Sequence, residues 1–253
     1  MLGDTVNADI SPNSVNAGTS LQSFTYRFYD IDLSDDSTGF GKIDSLLIGN
    51  PFGNNVTVTR VQINDQTIPI QNSQIAPTEP GLATWYYEGS PIDSLIIMTH
   101  YFDSEDSLIV EFAENIPDTL SSDNNFASRY DARLDSTNIQ DAIEVSEGAW
   151  VVEVVGAAVS YYDVHPPDQR ILAAGEGFVV SVTARDIYGN GVINSDSVAF
   201  TAINGTGVTF TANDTLQFSS DSVLTVTVTD TVSENFTVRA QKIGAPGVTG
   251  EGG

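Results

Sequence analysis

Between Glu176 and Phe200 the chain reads EGFVVSVTARDIYGNGVINSDSVAF, with apolar and polar residues alternating around a Tyr188-Gly189-Asn190-Gly191 turn signal. A repeat of two places alternate side chains on opposite faces, which is the pattern of a half-buried strand and not of a helix. The stretch therefore reads as strand, tight turn, strand. Phe178, Val180 and Val182 share one face. Leu224, Val226 and Val228 repeat the pattern later, with Thr225 and Thr227 opposite. Near the start, Phe24, Tyr26 and Phe28 alternate with Ser23, Thr25 and Arg27. A chain patterned this way at both ends is expected to be all-β, built as two tandem β-sandwich domains.

The expected boundaries are 1–155 for a first β-sandwich, 156–245 for a second, immunoglobulin-like one, and 246–253 for a glycine-rich tail acting as a linker. Residues 1–18 read as a polar lead-in. Strands are expected at 20–32, 43–48, 56–63, 82–88, 92–99 and 107–112. Val56 and Val58 fall on one face and Val61 and Ile63 on the other, which places a bulge near Arg60. Ile139, Ala142 and Ile143 have helical spacing and predict one helical turn over 138–145. Gly148 to Val155 closes the first unit as a buried strand. Tyr161 to Asp168 carries Pro166-Pro167 and no period, so it reads as a semi-rigid junction with Tyr161 and Tyr162 packing the domains together. In the second unit, strands are expected at 157–161, 170–172, 177–186, 197–203, 208–211, 215–218, 222–229 and 235–241.

Composition narrows the function. The chain has 253 residues, 34 acidic against nine basic, and a net charge of −25. Nucleic acids and anionic membranes call for a cationic footprint, so neither is an expected partner. The longest apolar runs, such as Leu95-Ile96-Ile97-Met98, are too short to insert into a bilayer. There is no cysteine, which excludes disulfides, thiolate catalysis and thiolate metal sites. The opening MLGDTVNADI has neither a basic start nor an apolar core and does not read as a signal peptide, which leaves a cytoplasmic start or a piece of a longer secreted protein, the latter being the expectation.

The second unit resembles a bacterial immunoglobulin-like domain of the invasin and intimin type. The residues that carry the likeness are Ala174-Gly175, Val180-Ser181-Val182-Thr183-Ala184, Asp186 with Tyr188-Gly189-Asn190 at the turn, and Val198-Ala199-Phe200. Gly191 stands where such domains often have proline. About a third of the chain is covered. The resemblance implies a stalk or adhesin module of the kind repeated along surface proteins. The first unit looks like a module found beside such domains in large secreted bacterial proteins. That likeness rests on Thr25-Tyr26, Gly39 and Gly41 with Ile43-Asp44-Ser45-Leu46, and Ala142-Ile143 followed by Trp150.

Two candidate sites stand out. Asp30, Asp32, Asp35 and Asp36 crowd one loop, with Asp44 beyond it, and calcium takes about six to eight oxygen ligands. The EF-hand template fails because Asp35 and Gly41 hold its glycine and glutamate positions, so any calcium site would be irregular. The other reading is solvated turns in an acidic chain. Trp85 and Tyr87 share a face if 82–88 is a strand, and could stack on sugar rings or cap the core. No catalytic arrangement is legible: there is no Gly-x-Ser-x-Gly elbow, and Gly189-x-Gly191 and Gly205-x-Gly207 read as hairpin turns.

The expectation is a non-enzymatic structural and adhesive module at the extracellular cell surface. Its partners would be other domains of the same protein or neighbouring copies. Two alternatives are a carbohydrate-binding module for glycans through Trp85 and Tyr87, and a self-assembling filament or surface-array subunit in which residues 1–18 add as a strand to a neighbour.

Overall fold

Alternation along Gln22–Asp32 sets the first core. Phe24, Tyr26 and Phe28 point inward and are at most 1% exposed, while Ser23, Thr25 and Arg27 lie on the outer face. The computed structural model describes residues 5–32, 42–89, 92–102, 107–126, 128–135, 138–139, 143–144, 147–149, 151–166, 173–211 and 214–252. Every regular element among the described residues is a β-strand. The chain divides into two compact units, Met1–Val154 and Val155–Gly253.

The strands of the first unit, in order, are β1 (Thr5–Ser11), β2 (Ser14–Asn16), β3 (Gln22–Asp32), β4 (Lys42–Gly49), β5 (Thr57–Ile63), β6 (Gln66–Ile68), β7 (Ile70–Asn72) and β8 (Ala83–Gly89). They continue as β9 (Ile92–Phe102), β10 (Leu108–Glu114), β11 (Ser121–Asn125), β12 (Ser128–Asp135), β13 (Asn138–Ile139), β14 (Ile143–Glu144), β15 (Glu147–Ala149) and β16 (Val151–Val155). One sheet runs β15-β1-β3-β10-β5-β6, a second β13-β12-β4-β9-β8-β7 with β14 also on β12, and a short third β11-β16-β2. Inward residues of all three meet in one core: Tyr26, Phe28 and Val110 from the first, Leu46, Ile48 and Ile97 from the second, Val15, Val152 and Val154 from the third. Phe24, Phe52, Phe112 and Phe126 cluster at one end, their rings 5.4–6.5 Å apart.

The bulge near Arg60 is present. Glu111 pairs with Arg60 but Phe112 pairs with Val58, so Thr59 is the extra residue. It rejoins the two phases, and Val58 and Val61 both reach the core. Two expectations fail here. Within 1–18, Thr5–Ser11 is no lead-in but strand β1, paired with β3 on one edge and, over Asn7–Asp9, with β15 on the other. The helical turn over 138–145 gives way to the short strands β13 and β14, because β12 offers an edge whose pairing overrides local helical spacing.

The second unit holds β17 (Tyr161–His165), β18 (Gly177–Arg185), β19 (Ser197–Ile203), β20 (Val208–Phe210), β21 (Thr215–Gln217), β22 (Val223–Asp230), β23 (Thr237–Lys242) and β24 (Thr249–Gly252). They form two four-stranded sheets, β17-β18-β22-β20 and β21-β19-β23-β24, packed as an immunoglobulin-like sandwich. The expected faces pair directly: Phe178 with Val228, Val180 with Val226, Val182 with Leu224. The opposite sheet supplies Val198, Phe200, Val238 and Ala240.

Five readings of this unit are corrected. The Tyr188–Gly191 turn folds back locally, with Arg185 bridged antiparallel to Gly191, but it joins no two strands of one sheet: β18 and β19 belong to different sheets, so the chain goes on across the core. Gly205–Gly207 likewise joins strands of different sheets, β19 and β20. Tyr161–His165 is not a junction but a paired strand, with Tyr162 and Val164 buried in the core and Tyr161 left 41% exposed. Tyr162 stacks on Phe218 at 6.0 Å within its own unit. The strand expected over 157–161 begins only at Tyr161. The glycine-rich tail is a strand too, β24, paired along β23. Residues 170–172 lie outside the described residues.

Candidate functional site

In each unit the first strand and a late strand run side by side in the same direction. β1 pairs with β15 in parallel, Asn7 opposite Glu147 and Asp9 opposite Ala149. Both then switch sheets: β2 and β16 meet again as neighbours in the three-stranded sheet. In the second unit β24 lies along β17. A Cβ on Gly250 would overlap the Tyr162 carbonyl, and one on Gly252 would crowd the Val164 carbonyl. The order of those contacts makes the two strands parallel. Only glycine permits the approach. Parallel first and last strands put a unit's entry and exit at opposite ends.

The Asp186 turn fixes the entry of the second unit. Asp186 is 0% exposed. Its Oδ1 accepts the backbone N–H groups of Tyr188 (2.9 Å) and Asn190 (2.8 Å). Its Oδ2 accepts the Asn190 side-chain amide (3.0 Å) and the Ala157 N–H (3.1 Å). Burial pushes this carboxyl up, but the donors of Asn190, Ala157 and Tyr188 together outweigh burial and hold it below the usual aspartate range. Gly189 takes φ +87° in the turn, a conformation that favours glycine. Arg185 Nη1 donates to the Gly189 carbonyl at 2.9 Å. One carboxylate thus holds both the crossover turn and the chain entering at Ala157.

Glu114 is the counterpart in the first unit. It ends β10 opposite Gln22, two residues past Phe112 on the inward face. It is 0% exposed, and neither carboxyl oxygen has a hydrogen-bond partner. Burial pushes its carboxyl up to about 8. Asn50 Oδ1 is buried without a partner as well. The loop above is tied down by Asn50 Nδ2 donating to the Asn54 carbonyl (2.8 Å) and Asn54 Nδ2 to the Asn115 carbonyl (2.7 Å).

Of the expected calcium ligands, Asp35 and Asp36 lie outside the described residues. The backbones of Asp30 and Asp32 belong to β3, which ends at Asp32 as expected. Asp44 lies at a register shift in β4, between Ile43 and Ser45. Among the described residues no group of three or more His, Asp or Glu side chains is placed to hold a metal ion. For Trp85 and Tyr87 the sequence left two readings, stacking on sugar rings or capping the core, and the structure places Trp85 in the core. They do share a face, but it is the core face: Trp85 is 9% exposed and belongs to the core, and Tyr87 emerges only where the strand ends. Their rings are 6.3 Å apart and tilted by 42°.

The residues missed by sequence reasoning are those of β17 and β24. Tyr162 and Val164 alternate, and so do Gly250 and Gly252. Both signals were present but short, and proline and glycine masked them.

No family model matches the chain, and no curated protein matches its sequence. Among solved structures it is similar to the Yersinia pseudotuberculosis adhesin InvE, at 12% identity and TM-score 0.31 over 97% of this chain and 57% of that one. It is also similar to the Escherichia coli adhesin FdeC, at 15% identity and TM-score 0.41 over 97% of this chain and 62% of that one. A third is BcpA, the major pilin subunit of Bacillus cereus, at 10% identity and TM-score 0.38 over 96% of this chain and 60% of that one. The chain thus spans about three-fifths of each of these solved chains.

Proposed function

We propose that the chain is a non-enzymatic structural and adhesive segment of an extracellular bacterial surface protein, in which each sandwich serves as a load-bearing spacer. The observation that supports this most is the parallel run of an early and a late strand in both units, ladder-paired in the first and in close backbone contact in the second. A unit entered at one end and left at the other lengthens a chain of modules instead of folding it back. Tension then pulls the terminal strands past one another, so the bonds and contacts along them resist together and do not unzip singly. The resemblance of Gln169–Phe200 to invasin- and intimin-type domains, which implies surface stalks, points the same way. Its partners in this reading are neighbouring domains of its own protein or neighbouring copies.

The test is single-molecule stretching of the chain held at its two ends. Gly250→Val removes the close approach of β24 to β17 and should lower the unfolding force of the second unit while leaving the first unit's event in place. Equal forces in the native and Gly250→Val chains would sink the load-bearing reading.

Within that reading, Asp30, Asp32, Asp35, Asp36 and Asp44 are the proposed calcium ligands. Supporting this, β3 and β4 fix both ends of the acidic stretch by backbone pairing. Calcium bound only to the folded state would raise Tm, and EDTA would reverse the rise. An unchanged Tm on calcium addition removes the metal and leaves the spacer.

A further inference from the structure

Five basic side chains are described, and four of them are paired with carboxylates: Arg60 with Glu111, Arg185 with Asp163 at 3.3 Å, Arg239 with Glu251 at 2.6 Å, and Lys242 with Asp196 at 2.6 Å. Arg27 is the exception. It forms no ion pair or hydrogen bond with a described residue, although the chain carries 34 acidic residues. Asp9 stands directly across from it in the β1–β3 ladder without closing the pair. Between them opens a cavity of about 460 Å³ lined by Asp9, Ile10, Ser11, Asn13, Thr25 and Arg27. That volume falls in the range of small-molecule sites.

The ladder explains why the lining is polar. Ala8 and Ile10 of β1 and Tyr26 and Phe28 of β3 point into the core, so Asp9, Ser11, Thr25 and Arg27 share the outer face. Asn13 joins them because the chain turns after Ser11 to enter β2. Among the described residues, the polar side chains on this wall comprise one acceptor-only carboxylate, one donor-only guanidinium, two hydroxyls and one amide, with Ile10 beside them and no aromatic ring.

We propose that this cavity is a binding site for a neutral saccharide. A sugar hydroxyl both donates and accepts, so vicinal hydroxyls can satisfy Asp9 and Arg27 at once. An anionic ligand would pair with Arg27 but would meet the Asp9 carboxylate beside it and the field of a chain of net charge −25. A simple cation would find Asp9 next to a fixed positive charge. The Asp9–Arg27 couple has no net charge, and an uncharged, hydroxyl-rich ligand matches it. This site is separate from Trp85 and Tyr87, and it stands or falls independently of the spacer reading.

The experiment is saturation-transfer NMR on the full chain. The probes are glucose, galactose, mannose, N-acetylglucosamine and their β-1,4-linked disaccharides, with glucuronic acid as the acidic arm. At least one neutral sugar should bind, with a Kd on the order of 1 mM. Arg27→Ala and Asp9→Asn should each weaken it by about tenfold or more, the loss of a hydrogen bond to a charged group. Arg60→Ala, which removes a paired cation from the same sheet, should leave binding unchanged. Arg27 is exposed, so its variants should keep the native Tm; should Arg27→Ala fail to fold, Arg27→Gln gives the same readout. Three results would overturn the site: no neutral sugar binding, binding that survives both variants, or binding of glucuronic acid alone.

Discussion

Glu114 and Asp186 are both carboxyl groups with 0% exposure, one in each unit, and they are solved in opposite ways. Asp186 accepts four donors and is held as the anion. Glu114 has no partner, and burial holds it as the neutral acid at neutral pH. Solvent reaches neither; the supply of donors differs. Asp186 follows a strand end, where a turn leaves backbone N–H groups unclaimed. Glu114 closes a strand whose N–H groups are engaged in the ladder with β3 and β5. A buried carboxylate is affordable only where the backbone has donors to spare.

The sharpest way to break this comparison is pH. The folded Glu114 binds its proton up to about pH 8, while the unfolded side chain releases it near its ordinary value of 4.5. Between those two values the native state holds more protons than the unfolded state, so stability falls as pH rises. The contribution is fully favourable below pH 4.5 and levels off above about 8. At roughly 1.4 kcal/mol per pH unit, the change across the window amounts to several kcal/mol. Both tryptophans, Trp85 and Trp150, lie in the first unit, so tryptophan fluorescence during urea unfolding follows that unit alone. Glu114→Gln should flatten the profile between pH 5 and 8. A native chain whose midpoint does not move over this range would refute the neutral-acid assignment.

Asp186 carries the opposite sign and a smaller total. Its folded value is lowered, so its stabilisation is present above the ordinary aspartate value and is lost as pH falls through the folded one. The second unit should therefore weaken in acid, where the first gains. At pH 7, Asp186→Ala leaves the N–H groups of Ala157, Tyr188 and Asn190 without their acceptor. The expected loss is roughly 3 kcal/mol, confined to the second unit. Circular dichroism follows both units and fluorescence only the first, so the difference between them isolates this loss. A variant in which the fluorescence transition shifts as far as the circular dichroism one would contradict the confinement.

The same two carboxyls mark how far sequence could carry. Asp186 was legible, because Asp-x-Tyr-Gly-Asn is a local motif and three of its four donors lie within four residues, only the Ala157 N–H being distant. Its connection was misread: the turn looks like a hairpin until the pairing partners of β18 and β19 are known, and those are β17 and β22 for one and β21 and β23 for the other, none adjacent across the turn. The core faces were legible for the same local reason, since period two fixes them whatever the topology. Glu114 was invisible. In VEFAENIP it continues the inward face of Leu108, Val110 and Phe112, but it lies past the strand end expected at Phe112, and its closure from water depends on packing that no local pattern encodes. Arg27 was assigned to the outer face, but its lack of a partner depends on how Asp9 is placed, which no spacing encodes.

Glu251 extends the comparison to a carboxylate in water. It accepts two bonds from Arg239, at 2.8 and 2.6 Å, across the β23–β24 ladder. The side chains are 44% and 48% exposed, so solvent competes for both partners. By count of contacts this pair looks stronger than Glu114, which has none. Its expected worth is far smaller, because water replaces what a mutation removes. A double-mutant cycle of Arg239→Ala and Glu251→Ala should give a coupling of about 0.5 kcal/mol, shrinking as salt is raised. A coupling that matched the loss at Asp186, or that held steady in high salt, would show that donor supply and not burial sets the value of a carboxylate in this protein.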